Sequence, residues 1–249
     1  MEKIITAMPG YRLCEYLLVL SPHEELGNRI MKTKEEFSEK YKSDHAKWGK
    51  PQIALVNFMQ YEMMEERIVN RLRILAMGSP AFKVELKDFG SFPSHTIYIN
   101  VTSKLPIQNW IKTIRTDGQR LMKLNDDNKP HFIMEPHLTI ARKLKPWQYE
   151  KGWLEYSNKH FTGRFIADSM TLLKRQIVAD NSKTKYQVKE KFIFQNLPVS
   201  TKQGELLTLD FPEQIGEPCD TPIPLIEGLG ATPIATYRAM DYMAVFETE

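Results

Sequence analysis

A histidine and a threonine two positions apart, His137 and Thr139, stand in the run Pro136-His137-Leu138-Thr139-Ile140-Ala141-Arg142. In a strand, successive side chains point to opposite faces. His137 and Thr139 then project from one face, while Leu138 and Ile140 pack behind it. An imidazole beside a hydroxyl suits proton transfer next to a bound phosphate oxygen. An altered copy of the run lies upstream, Pro51-Gln52-Ile53-Ala54-Leu55-Val56. It keeps the frame but places Gln52 and Ala54 where the imidazole and the hydroxyl would stand. A glutamine hydrogen-bonds a phosphate oxygen but exchanges no proton near neutral pH. One copy is armed and the other is blunted.

Few other side chains compete for this chemistry. His95 is the first substitute for a missing acid or base, although alternation sets it in phase with Ile97 and Ile99, on the core side or at a strand's start. Thr96 and Tyr98 then share the other face. Tyr98 is a candidate stacking platform for a nucleobase, with cross-strand packing as its plain alternative. Arg142 opens a basic cluster with Lys143 and Lys145. Its planar fork suits a phosphate, and capping the strand end is the competing reading. His45 and His131 read as surface-loop residues, and His23 and His160 carry no functional reading.

The elements that must hold these residues can be traced along the chain. Arg12 to Leu20 reads as a strand after the turn Pro9-Gly10. Ser21-Pro22-His23-Glu24 then has the make-up of a capping box opening a helix, with Leu26, Ile30, Phe37 and Tyr41 on one face. Gln52 to Phe58 is the second strand, and Met64, Ile68, Leu72 and Leu75 mark a second helix. Phe82 to Phe89 and Thr96 to Val101 are strands, followed by a helix that buries Ile107, Trp110, Ile111, Ile114 and Leu121. After the His137 strand come a helix over Pro146 to Asn158 and strands over Phe161 to Lys174 and Tyr186 to Phe194, the last two separated by a turn near Asp180-Asn181-Ser182.

The order strand, helix, Pro-polar-apolar strand, helix, strand occurs twice. That recurrence predicts an α+β fold, a pseudo-symmetric duplication of two lobes with antiparallel sheets lining a central cleft and helices outside. It occupies residues 1–198. Residues 199–249, with prolines at 212, 218, 222, 224 and 233, read as a Pro/Gly-rich C-terminal extension whose protein partner the sequence does not name.

Composition narrows the class. The 249 residues are 42% hydrophobic and 26% charged, the make-up of an ordinary globular chain. No apolar run approaches the roughly 20 residues that cross a bilayer. The N-terminus lacks the basic-then-apolar plan of a signal peptide. Cys14 and Cys219 are too few and too distant for a disulfide framework, which predicts a reducing, cytoplasmic setting without a membrane. A net charge of +3 permits a phosphate-bearing ligand without demanding one.

The run from Pro136 to Arg142, its upstream partner at Pro51 to Val56, Phe89-Gly90-Ser91-Phe92 followed by His95 to Val101, and the order of elements together resemble the two-histidine (2H) phosphoesterases. The bacterial branch is known as 2′-5′ RNA ligase or RNA 2′,3′-cyclic phosphodiesterase, and the likeness spans Arg12 to Pro198. The resemblance implies two symmetric His-x-Thr/Ser pairs, one histidine as general base and the other as general acid, with the hydroxyls holding phosphate and no metal or cofactor. It implies as ligand an RNA end or a small cyclic or 2′-5′ linked nucleotide. His137 and Thr139 match the second pair; Gln52 and Ala54 depart from the first. Loss of one proton-transfer partner lowers a rate by about 10²–10⁴-fold, so the resemblance implies impaired phosphoester chemistry or, as the alternative, a protein that binds nucleotide or RNA ends without catalysis.

Overall fold

The structure, a computed structural model, describes residues 11–44, 46, 49–177, 184–197, 217–222, 235–238 and 242–245. The chain divides into two compact units, Met1–Val199 and Ser200–Glu249. In chain order the first holds β1 (Leu13–Leu20), α1 (Glu24–Tyr41), β2 (Ile53–Tyr61), a 3-10 turn (Glu62–Met64), α2 (Glu65–Met77), β3 (Phe82–Phe92), β4 (Thr96–Val101), α3 (Lys104–Met122), β5 (His131–Phe132), β6 (His137–Ala141), α4 (Pro146–Tyr156), β7 (Thr162–Ala167), β8 (Ser169–Gln176) and β9 (Gln187–Ile193). In the second, β10 (Glu217–Pro218), β11 (Ala235–Arg238) and β12 (Tyr242–Val245) pair in that order as a small antiparallel sheet.

The large sheet runs β7-β3-β4-β6-β2-β1-β8-β9, with β5 added to β2. This order is a palindrome. Read from its two ends, it places the units β4-α3-β6-α4 and β1-α1-β2-α2 alike, so that β6 corresponds to β2, β4 to β1, β3 to β8 and β7 to β9. The centre of the correspondence is a single paired position, Ile53 opposite Leu138. The duplication read from the sequence is therefore present as two four-stranded lobes that meet edge to edge. Helices lock the lobes together. α1 follows β1 of one lobe but packs on β6 and β7 of the other, beside α4. α3 follows β4 and packs on β2 of the opposite lobe, beside α2. The marked strands β2 and β6 are thus neighbours at the middle of one sheet.

Three local expectations differ from what the structure shows. Helix α1 begins at Glu24 with His23 as its N-cap and no side-chain cap, so Ser21 forms no capping box. β1 runs to Leu20, and Pro22 holds the residue before it extended, so the helix starts later. The stretch Phe161 to Lys174 is two strands, broken at Asp168, because β7 pairs with β3 at one edge while β8 pairs with β1 in the other lobe. His131 lies in β5 opposite Asn57, not in a loop. His45 and the turn at Asp180-Asn181-Ser182 lie outside the described residues.

One face of the sheet is covered by the helices. Tyr16, Leu18, Ile53, Leu55, Ile97, Ile99 and Leu138 from the strands are fully buried with Ile30, Phe37, Ile68, Leu72 and Ile111 from the helices. Burying such side chains contributes about 1.5–3 kcal/mol each. The end of each exchanged helix is held by a glutamine amide. Gln148 donates to the carbonyls of Tyr41 and Lys42 at the end of α1, at 3.0 and 2.9 Å. Gln60 donates to those of Leu121 and Lys123 at the end of α3, at 2.9 and 3.0 Å. These bonds satisfy carbonyls that a helix end leaves orphaned.

Glu155 of α4 adds a charged tie. It receives Lys40 at 2.6 Å, Lys159 at 2.8 Å and the Tyr41 hydroxyl. The Lys159 and Lys40 ammoniums, then the Tyr41 hydroxyl, bring its pKa down to about 2. A carboxyl depressed in the folded state stabilises fully above its unfolded pKa near 4.5 and loses that contribution as pH falls towards 2. Because solvent reaches this group, the effect is discounted to about 1 kcal/mol. Glu155→Gln is expected to lower the urea midpoint at pH 6, and the gap from the wild type is expected to close between pH 4.5 and 2.

Candidate functional site

His137 opens β6 on the uncovered face of the sheet and is half-buried. Its Nδ1 lies 2.8 Å from the carbonyl oxygen of Glu135. A carbonyl only accepts, so Nδ1 carries the proton in this bond and Nε2 keeps the lone pair. The ring stands 4.9 Å from Phe92, edge to face, and 5.0 Å from Tyr98. Phe92 and Tyr98 are themselves 4.7 Å apart. The imidazole is therefore held by two aromatic rings and one hydrogen bond, with Nε2 as its chemical end. The turn that supplies the carbonyl is fastened to α3, through Gln108 to the Met134 carbonyl at 2.9 Å and Lys104 to Glu135 at 2.7 Å.

Register brings the blunted copy alongside. With Ile53 opposite Leu138 in an antiparallel pair, Gln52 falls beside Thr139 and Ala54 beside His137. Both alternate with buried Ile53, so they share the uncovered face with His137 and Thr139. Among the described residues, neither the Gln52 amide nor the Thr139 hydroxyl has a protein hydrogen-bond partner. Two polar groups without a protein hydrogen-bond partner thus stand where β2 meets β6.

Tyr98 and Asn100 lie opposite Thr139 and His137 on β4. Their side chains cross the backbone of Gly90, where an added Cβ would come within 2.5 Å of Asn100 Oδ1 and 2.6 Å of the Tyr98 ring. Gly90→Ala would push both side chains off their places. Overpacking of this kind costs about 1–3 kcal/mol, so the variant is expected to unfold at lower urea concentration and to shift the ring resonances of Tyr98 and His137.

The remaining candidates lie farther off. Arg142 is exposed just beyond β6. Its charge is felt by Lys34 of α1, whose buried ammonium donates to the Gly49 carbonyl at 2.8 Å; burial first and Arg142 second lower the Lys34 pKa to about 8. His95 is exposed in the turn before β4, its Nδ1 3.0 Å from the Pro93 carbonyl oxygen. Its own carbonyl accepts from Leu144 at 3.1 Å. Among the described residues, no hydrogen bond or ring contact joins His95 to His137. Thr96, expected on the uncovered face, is buried.

The sequence profile of the 2′-5′ RNA ligase superfamily matches residues 22–178, more than half of the chain. The chain belongs to this superfamily. TT0787 of Thermus thermophilus is similar in fold, with 15% identity and a TM-score of 0.52 over 73% of this chain and 98% of its own. LigT of E. coli, in its complex with 3′-AMP, is 13% identical with a TM-score of 0.46 over 74% and 98%. Usb1 of Kluyveromyces marxianus is 10% identical with a TM-score of 0.37 over 69% and 96%. No curated protein matches the chain.

As a member of the superfamily, the chain carries its two motif strands next to each other, and Phe92 and Asn100 complete the surroundings of His137. Both lie in stretches that carry the resemblance, but nothing in the sequence set either of them beside His137. Asn100 is the in-phase neighbour of Tyr98, two residues on, and that alternation was the signal available for it. A groove of about 480 Å³ lies elsewhere, between the start of α1 and strands β3 and β7, lined by His23, Arg29, Lys87 and Arg164 with Glu25 and Glu85. It contains none of the motif residues. Among the described residues, no helix is long and apolar enough to cross a membrane.

Proposed function

We propose that this superfamily member binds an RNA end or a small nucleotide bearing a 2′,3′-cyclic phosphate or a 2′-5′ linkage on the uncovered face, and that His137 moves the proton in a slowed phosphoester reaction. The observation that carries this reading is the His137 imidazole, oriented through Nδ1 with Nε2 available and Thr139 in phase beside it. In hydrolysis, water forms a bond to phosphorus as the bond to a ribose oxygen breaks. The water's proton leaves to a base, and the departing oxygen takes one from an acid. His137 Nε2 performs one of these transfers. Thr139 and the Gln52 amide hold the non-bridging oxygens, and Tyr98 stacks on the base.

Gln52 gives the second reading its support. A glutamine at this position holds a phosphate without exchanging a proton, which suits a protein that binds nucleotide or RNA ends and does not turn them over. One experiment separates the two. The full-length protein is incubated with 2′,3′-cyclic AMP and with 2′-5′ linked dinucleotides and followed by phosphorus NMR. Slow product formation supports the enzyme, and saturable binding without product supports the binding protein. Neither binding nor product overturns both readings.

A further inference from the structure

We infer that His131 is the second proton-transfer group of this site, taking the part that Gln52 does not fill; the inference rests on the proposed function. β5 and β6 flank β2 on the same side, the side away from β1. Asn57 is opposite His131 on that side and opposite Leu17 on the other, while Ala54 is opposite Val19. Residues paired across strands share a face. Asn57 and Ala54 are half-buried on the uncovered face, so exposed His131 emerges on the face that carries His137. The shift between Leu18 and Val19 leaves the two levels two β1 residues apart, so His131 and His137 are rooted roughly 7 Å from each other along the strand direction.

That spacing suits displacement at phosphorus. The attacking and departing oxygens lie on opposite sides of the phosphorus, and each needs a proton-transfer group within about 2.6–3.2 Å. Two imidazoles rooted one side-chain repeat apart can bracket a phosphate between them. The ground between is low. Ala54 contributes only a methyl, and the Asn57 amide is turned away to Glu15 at 3.0 Å and Tyr186 at 3.4 Å. Among the described residues, the His131 ring has no hydrogen-bond partner, so both of its nitrogens can meet a ligand. Phe132 beside it is held from behind, with the Arg115 guanidinium 5.9 Å from its ring, so β5 is an anchored element.

In the step, the new bond joins the water oxygen to phosphorus and the bond to the ribose oxygen breaks. One imidazole takes the water's proton as the other delivers a proton to the departing oxygen.

The test uses the full-length protein and two readouts. In the first, the imidazole C2–H resonances, assigned with His131→Gln and His137→Gln, are titrated with pH in the absence and presence of saturating 3′-AMP. The resonances of His131 and His137 are both expected to move when the nucleotide binds, and that of His95 to stay. A His131 resonance that ignores the nucleotide overturns the inference. In the second, kcat for 2′,3′-cyclic AMP is expected to fall about 10²-fold in His131→Gln, with KM little changed and one limb of the bell-shaped pH profile lost. Wild-type kcat and an intact bell in His131→Gln, with His137→Ala inactive, overturn the inference and leave the proposed function standing. Unchanged turnover in His137→Ala overturns the proposed function itself. Should the wild type bind without turnover, the titration alone decides.

Discussion

His137→Ala is expected to lower the turnover of 2′,3′-cyclic nucleotides by at least about 10²-fold, the scale of one lost proton transfer. The loss belongs in kcat. Thr139, Gln52 and Tyr98 remain to hold the nucleotide, so KM should change little. The fold should survive, because His137 is half-buried on the uncovered face and the core behind it is built from Leu138, Ile53 and Ile99. Removing the ring ends its contacts with Phe92 and Tyr98, worth about 0.5–1.5 kcal/mol. His137→Gln separates shape from chemistry: it preserves a planar hydrogen-bonding group and removes the proton exchange. Both variants should be equally inactive, with the pH dependence of the remaining rate flattened. Wild-type kcat in either one would end the assignment of His137 as the group that moves the proton.

Much of this site was legible because it is written in short-range patterns. The alternation across Pro136 to Ala141 states which residues share a face, and the copy at Pro51 to Val56 states that the arrangement occurs twice. Helix faces such as Leu26, Ile30 and Phe37, or Ile107, Ile111 and Ile114, repeat at helical spacing and lie in the core as read. What was not legible depends on partners far apart in the chain. Nothing in Phe161 to Lys174 announces that β7 and β8 leave for opposite ends of one sheet, since both halves of the stretch have strand character. Nothing local shows that α1 and α3 cross to the opposite lobe. His131 is the sharpest case. β5 is two residues long, too short for any periodicity, and only pairing with β2 makes it a strand.

The alternation along β2 also lets positions 52 and 54 differ from positions 137 and 139 while the fold is kept. Gln52 and Ala54 stand on the uncovered face, while Ile53, Leu55 and Val56 between and beyond them are buried. Substitutions at the first pair open no cavity in that core. Site and core residues alternate along one strand and lie on its opposite faces.

That separation makes the reverse change informative. In a site with no second acid–base group, Gln52→His with Ala54→Thr would raise kcat for 2′,3′-cyclic nucleotides by about 10²-fold, the low end of the range for a returned acid–base group. The backbone is already suited to it. Pro51 precedes position 52 as Pro136 precedes His137, and both prolines are buried. A proline holds the residue before it extended, so the Lys50 carbonyl should receive Nδ1 of the new imidazole as the Glu135 carbonyl receives that of His137. Its Nε2 would then stand beside Thr139, and the hydroxyl introduced at position 54 beside His137. A β-branched residue suits a strand, so stability should change by less than about 0.5 kcal/mol. Ala54→Thr alone should improve KM more than kcat, because a hydroxyl holds phosphate and moves no proton at neutral pH. If His131 already serves as the second group, the gain from the pair should shrink towards tenfold, and His131→Gln in that background should cost far less than in the wild type, since one added imidazole relieves the other. A folded double variant that binds 3′-AMP yet gains no rate would show that position 52 does not face the reacting phosphate, and the twofold reading of the site would fall with it.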